Sequence, residues 1–336
     1  MTLKKSIDLH YLYPVLAIII SFLGFNYGVF ALISFLFVPA VISVMMYRYS
    51  IWDGLYTILA IVIFTLLNTC LYNQQAIIMS FAYSLFIAVS GIMLGICFVK
   101  KFSFKRALIV LTGFYTVCSA VVFAALKYIF DINITEIFRA FFVEAYSLFF
   151  ETLQMYNPQL SSAISIPEYD LFNIFYSVMP GLVPYFTIAV SIFTSLVQYT
   201  ISKSTLTSAL IDNSDFFDGF EKFKLSVVSA VFFLLTFLLN TSGIDNMLSM
   251  INLNVFLSIA TLYIIEAISL IYFSLKKSVI SRALRILMVV GIVIFSFVIS
   301  SLFPIINIVY LFIFVGLSDS IFNYRKLGDN QNEKDK

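Results

Sequence analysis

From Tyr11 to Tyr47 the chain carries no Asp, Glu, Lys, Arg or His. As one α-helix this stretch would be about 55 Å long, nearly twice the roughly 30 Å hydrocarbon core of a bilayer. It has to fold back on itself, and Gly24, Asn26 and Gly28 mark the natural place to break it. The sequence therefore predicts two apolar segments, 11–26 and 28–46, the first of them short enough to thin the bilayer locally. Eight more runs of the same kind follow: 54–71, 76–99, 107–130, 171–201, 225–241, 252–275, 284–302 and 305–323.

Composition agrees. Of 336 residues, 61% are hydrophobic and 11% charged, against about 25% charged in soluble domains. A soluble fold built from this chain would expose large apolar patches. Lipid offers no partner to backbone N–H and C=O groups, so continuous apolar runs of this length have to be helical. The expected fold class is all-α, a polytopic transmembrane bundle of about ten segments. The lipid bilayer is its implied partner, and no basic-aromatic surface points to nucleic acid.

Threading the ten segments in order sorts the cations. With the N-terminus inside, one side receives Lys4, Lys5, Arg48, the Lys100–Arg106 group, Lys203, Lys222, Lys224, the Lys276–Arg285 group, Arg325, Lys326, Lys334 and Lys336. Only Lys127 and Arg139 fall on the other side. The positive-inside rule then places both termini in the cytoplasm. Lys4 and Lys5 resemble a signal n-region, but the apolar run continues to Tyr47 without a small-residue cleavage site, so the first helix is expected to be retained.

Two regions do not read as spans. Along 132–156, Glu136, Arg139, Glu144, Ser147, Glu151 and Gln154 share one helical arc, with Ile134, Phe138, Phe141 and Leu148 opposite. This predicts an amphipathic helix on the outer interface, N-capped by Asn133 with Glu136 as its partner. It is either a lid over an outward cavity or a purely structural element. The connection 204–224 carries Asp212, Asp215 and Asp218 but lacks the ligand pattern of a calcium loop. It reads as a solvated cytoplasmic loop with Phe216, Phe217, Phe220 and Phe223 at the interface. The chain thus divides into a six-helix unit over 1–203, the loop 204–224, a four-helix unit over 225–323 and a polar cytoplasmic tail over 324–336.

Few residues can carry chemistry. His10 is the only histidine and reads as an interfacial anchor; Cys70, Cys97 and Cys118 form no CxxC pair. No HExxH, GxxxxGK[ST], GxSxG or GxGxxG pattern occurs. The expectation is no enzyme, no metal and no cofactor. Two acids fall inside spans, where ionisable groups are functional by default. Glu266 lies about 15 Å from the inner face and reads as a helix–helix hydrogen bond or a proton-coupling carboxylate. Asp319 is placed to pair with Arg325, Lys326 or the 276–285 cations. The motif PGLVP at 180–184 removes two backbone donors. It predicts either a broken helix lining a substrate site, as in transporters, or a helix that begins only near Pro184. Asn68 and Asn240, near outer segment ends, face a cavity or tie helices together.

The run IEAISLIYFSLKKSVISRALRILMVVGIVIF followed by VGLSDSIFNYRKL resembles the end of the YybS-like family of predicted bacterial membrane proteins. Gly316, Leu317, Asp319, Tyr324, Arg325 and Lys326 carry that pattern, and MPGLVPYFTIAVSIFTSLVQYTISK resembles the family's proline-containing helix. The first six segments look like the substrate-binding S components of energy-coupling-factor transporters. That resemblance implies capture of a small-molecule ligand from outside, with the 132–156 helix as gate and Asn68, Pro180, Gly181 and Pro184 at the binding wall. It also implies a separate coupling subunit and separate ATPases. The chain departs from S components in its four extra helices and in its weak small-residue pattern, Ala17 and Ser21, on the first helix. The alternative function is a membrane scaffold in envelope or division assembly, with Glu266 and Asp319 as interhelical glue.

Overall fold

The computed structural model describes residues 9–72, 77–156, 168–209, 220–241, 246–276, 280–302 and 308–326. Among these are eleven α-helices: α1 Leu9–Asn26, α2 Gly28–Arg48, α3 Ile51–Tyr72, α4 Ile77–Val99, α5 Phe104–Phe130, α6 Ile134–Tyr156, α7 Glu168–Ala209, α8 Val227–Thr241, α9 Asn246–Lys276, α10 Arg282–Leu302 and α11 Ile308–Phe322. Six helices contain apolar stretches long enough to cross a bilayer, Phe30–Arg48, Ile51–Cys70, Ser80–Val99, Phe104–Ile129, Gly181–Leu206 and Leu248–Lys276. Four shorter apolar helices, Tyr11–Asn26, Val227–Asn240, Leu284–Ser296 and Ile308–Phe322, complete the ten. The eleventh is the amphipathic α6.

Helix starts follow from serine. Ser50, Ser103, Ser226 and Ser281 each stand just outside a helix and accept through Oγ from the backbone N–H of Trp52, Arg106, Ser229 and Leu284, at 3.0–3.4 Å. Such a side chain satisfies one of the N–H groups that the first turn leaves without a partner. The break after α1 falls at Tyr27, in extended conformation (φ −128°, ψ 105°), inside the predicted Gly24–Gly28 interval. At α6 the Asn133 carboxamide donates to Glu136 Oε1 at 3.4 Å, a side chain to side chain contact.

Contacts divide the chain into two compact units, one comprising 1–113 with 191–223, the other 114–190 with 224–336. In the first, α1, α2, α3 and α4 pack on one another. Ala17, Val38, Ile42, Met46, Ile61 and Ile87 form its apolar centre. The C-terminal half of α7 joins them: Gln198 Nε2 donates to the Phe35 carbonyl at 2.8 Å, Ser202 meets Ser43 at 3.0 Å, and Tyr199 stacks on Phe98. In the second unit, α9 is the axis, touching α8, α10 and α11.

Two expectations need correction. The connection expected to start at residue 204 begins later, because α7 stays helical to Ala209. Phe220 and Phe223, expected at the interface, pack edge-on against Phe104, with Phe223 buried. Burying these rings on another ring removes more apolar area from water than an interfacial position does. Asp212, Asp215, Asp218, Phe216 and Phe217 lie outside the described residues.

Candidate functional site

The second unit gathers the polar residues that matter. Gly316, on α11, meets the Tyr263 carbonyl of α9 so closely that a Cβ there would overlap backbone atoms. Absence of a side chain lets the two helices approach, and the next turn of α11 then delivers Asp319 and Ser320 against Glu266. All three are fully buried.

Two hydrogen-bonded clusters result. Asp319 Oδ2 accepts from both Nε and a terminal nitrogen of Arg325, whose other terminal nitrogen donates to Ser269 Oγ at 2.8 Å. The Arg325 side chain is withdrawn from solvent and makes a short pair with Asp319. Asp319 Oδ1 is buried without a hydrogen-bond partner among the described residues. Glu266 belongs to the second cluster. Ser320 Oγ lies 2.9 and 3.0 Å from its two oxygens, and the Leu225 N–H donates to Oε2 at 3.1 Å. Arg325 comes no nearer to Glu266 than 3.9 Å. The expected Asp319–Arg325 pair is therefore present, and Glu266 joins α9 to α11 and to the strand of chain leading into α8. Truncating one member of such a buried pair costs about 3–5 kcal/mol, because the remaining charge is left uncompensated.

The PGLVP motif sits inside an unbroken helix, which corrects both the broken helix and the late start expected from its prolines. Pro184 lacks the N–H that would meet the Pro180 carbonyl. One residue on, the Asn254 carboxamide of α9 bridges the next rung: its oxygen accepts from the Tyr185 N–H at 2.9 Å and its nitrogen donates to the Gly181 carbonyl. A side-chain amide carries one acceptor and two donors, so it can serve both backbone groups at once. Gly181 also permits close packing, since a Cβ there would overlap the Met250 side chain. Tyr185 Oη and Thr261 Oγ1 stand 3.4 Å apart across the same interface.

Beside this bridge lies a cavity of about 550 Å³ whose walls come from α7, α8 and α9. Pro184, Phe232 and Ile259 are among its apolar lining; Ser229, Asn254 and Ser258 are its polar side chains. Ser229 Oγ donates to the Ser226 carbonyl at 2.6 Å and lies 3.2 Å from Tyr263 Oη. Leu225, in the cavity wall, gives its backbone N–H to Glu266.

The residues singled out in the sequence divide accordingly. Pro184 lines the cavity, and Gly181 stands at the bridge next to it. Pro180 lies in α7. Asn68 belongs to the first unit, where its carboxamide donates to Asn26 Oδ1 at 3.2 Å and ties α3 to α1. Glu266 and Asp319 fall in one network. Asn254, Ser320 and Tyr263 were not singled out. Asn254 carried a signal nonetheless, as a carboxamide inside an apolar span, near its start; the two hydroxyls did not stand out from the many other Ser and Tyr residues.

The chain belongs to the family of predicted membrane proteins DUF2232, whose signature matches residues 15–319. The match covers nearly all of both units. No curated protein and no solved structure matches the chain.

Proposed function

We propose that this multi-pass membrane protein binds and translocates a small, mainly apolar molecule with a hydrogen-bonding end, held in the cavity between α7, α8 and α9. The observation that carries the reading is the cavity itself: about 550 Å³, largely apolar, with Asn254, Ser229 and Ser258 as the polar side chains of its wall. Small-molecule sites fall at about 300–1,000 Å³ and combine apolar walls with a few placed polar groups. Asn254 both lines the site and holds the Tyr185–Gly181 rung of α7, so a ligand that competes for its carboxamide loosens that rung. This is a physical route from occupancy to a change in helix shape. The protein acts without catalysis in this reading.

The S-component likeness extends the proposal. Ligand would be taken from outside, α6 would gate it, and a separate coupling subunit with its own ATPases would drive release. The absence of a GxxxxGK[ST] loop in the sequence fits such a division of labour. Both termini are cytoplasmic in this arrangement. Single cysteines beside Lys100 and Lys276 should resist an impermeant reagent added to intact cells, and labelling from outside would reverse the orientation.

The direct test is native mass spectrometry of the purified chain. Wild type should retain a small molecule that Ser258→Phe, whose ring intrudes on the cavity, holds less well. A bare wild-type protein, or equal retention by the variant, removes the cavity as the binding site. A scaffold role is the second reading. It is favoured by the complete burial of Glu266, Asp319 and the Arg325 side chain, which makes them interhelical ties. Recovery of a stoichiometric protein partner with no small molecule would support it.

A further inference from the structure

We propose that the cavity between α7, α8 and α9 selects a ligand whose polar end donates hydrogen bonds, such as a hydroxyl, an amine or an amide N–H, over one that only accepts them. The inference rests on the cavity being the binding site and names the chemistry that such a site takes.

The polar side chains of the wall among the described residues, Ser229, Asn254 and Ser258, have their protons engaged already. Ser258 Oγ donates to the Asn254 carbonyl at 2.7 Å, one turn back in α9. Ser229 Oγ donates to the Ser226 carbonyl at 2.6 Å. With that proton in use, Tyr263 is the donor in the 3.2 Å contact between Tyr263 Oη and Ser229 Oγ. Asn254 Nδ2 carries two N–H bonds, and both have acceptors: the Gly181 carbonyl and, at 2.8 Å, the Met250 carbonyl. The orientation of this carboxamide follows from its partners, because the Tyr185 N–H can meet only the oxygen.

The backbone adds no donor. Leu225 gives its N–H to Glu266 Oε2 at 3.1 Å, and Ser229 gives its own to the Ser226 carbonyl at 3.0 Å. Pro184 has none. The remaining lining residues lie inside α7, α8 and α9, where each N–H bonds the carbonyl one turn back.

Lone pairs are left over. A hydroxyl oxygen and a carboxamide oxygen each offer two acceptor positions. Among the described residues, Ser258 Oγ receives no hydrogen bond, Ser229 Oγ receives one from Tyr263, and Asn254 Oδ1 receives one from Tyr185. Asn254 and Ser258 stand one turn apart on the same face of α9, and Ser229 comes from α8, so a donor can be met from two helices.

This asymmetry discriminates between ligands. A donor gains a hydrogen bond in the cavity without breaking one. An ether or ketone gains one only if a serine gives up its carbonyl, so the number of bonds does not rise. A carboxylate would bring charge against an apolar wall with no cation among its described residues.

Three neutral probes of one shape test the inference: adamantan-1-ol, 1-methoxyadamantane and adamantan-2-one, titrated onto the purified full-length protein and read by native mass spectrometry. The alcohol should bind at least about tenfold more tightly than the ether or the ketone, the order of one added hydrogen bond. Ser258→Ala removes the oxygen with both lone pairs open and breaks only a bond within α9. In this variant the alcohol's advantage should fall severalfold while the ether and ketone keep their wild-type affinity. Equal affinity for the three probes in wild type, or an undiminished advantage in Ser258→Ala, overturns the donor class. All three probes should weaken in Ser258→Phe. Probes that do not bind wild type, or that bind Ser258→Phe equally well, remove the cavity as the binding site and the inference with it.

Discussion

Thr65, Thr69 and Ser90, in the first unit, turn their hydroxyls onto carbonyls three or four residues back in their own helices, and the groups that cross between helices there, Gln198, Ser43 and Asn68, are neutral. In the second unit, Glu266, Asn252 and Asn254 reach to a different helix or to the chain beside it, and Arg325 reaches from beyond α11 to α9. A self-bonded hydroxyl behaves almost as a small apolar residue, so helices carrying it pack closely with little at stake. A crossing polar group fixes the distance and rotation of two elements and fails badly if either moves. The first unit therefore joins its helices by close packing and neutral crossings. The second adds buried charged groups, Glu266, Asp319 and Arg325, and the cavity lies beside its Asn254 bridge.

The largest effect expected from this contrast belongs to Arg325→Met, which leaves two buried carboxyls without a cation. It should destabilise the protein by about 3–5 kcal/mol in a thermal or denaturant titration in detergent. Adding Asp319→Leu should restore a good part of that loss, because the pair is removed together. A double variant as unstable as the sum of its parts would show that Asp319 and Arg325 are not partners.

Next comes Gly316→Leu, whose side chain would land on the Tyr263 backbone and push α9 from α11. A cost of about 1–3 kcal/mol is expected in the same titration. Gly291→Ala on α10 is the control: a Cβ there meets open space, and the better helix propensity of alanine should leave stability unchanged or raised by up to about 1 kcal/mol. Equal effects at the two glycines would dissolve the idea that α9 and α11 meet at a designed close approach.

Asn254→Leu should cost about 1–3 kcal/mol, because the Gly181 carbonyl and the Tyr185 N–H lose the carboxamide that serves both. The same variant should release the retained molecule, as read by native mass spectrometry. Intact retention would separate the bridge from the binding wall. The smallest effect is expected in the first unit. Thr65→Val, which only removes a bond to its own helix, should change the unfolding midpoint by less than about 0.5 kcal/mol in energy terms. A loss as large as that of Asn254→Leu would erase the distinction between the two regions.

Much of this was legible in the residues. Ten apolar runs became ten apolar helices, because in lipid the backbone has no alternative to internal hydrogen bonding. The Tyr11–Tyr47 stretch broke where glycine and asparagine cluster. Asp319 found Arg325 since the two are six residues apart across a helix end. What local sequence did not contain was long-range partnership. Two prolines predict disruption of α7 only until Asn254, from another helix, bridges the rung next to the one that Pro184 leaves open. Glu266 read as a tie or as a titrating group, since its partners Ser320 and Leu225 come from distant segments. The cavity likewise draws on α7 and on helices that follow the 204–224 connection, and no single stretch shows it.

The contrast between a tightly packed unit and one with a cavity can be put to one measurement: thiol labelling in native membranes, on a chain with Cys70, Cys97 and Cys118 replaced. A cysteine at Ser258, in the cavity wall, should react with a small thiosulfonate reagent and be protected when the molecule eluted from wild type is added back. A cysteine at Ser90, fully buried in the first unit, should stay unreactive throughout. Equal reactivity at the two positions, or a Ser258 cysteine that never labels, would contradict the account.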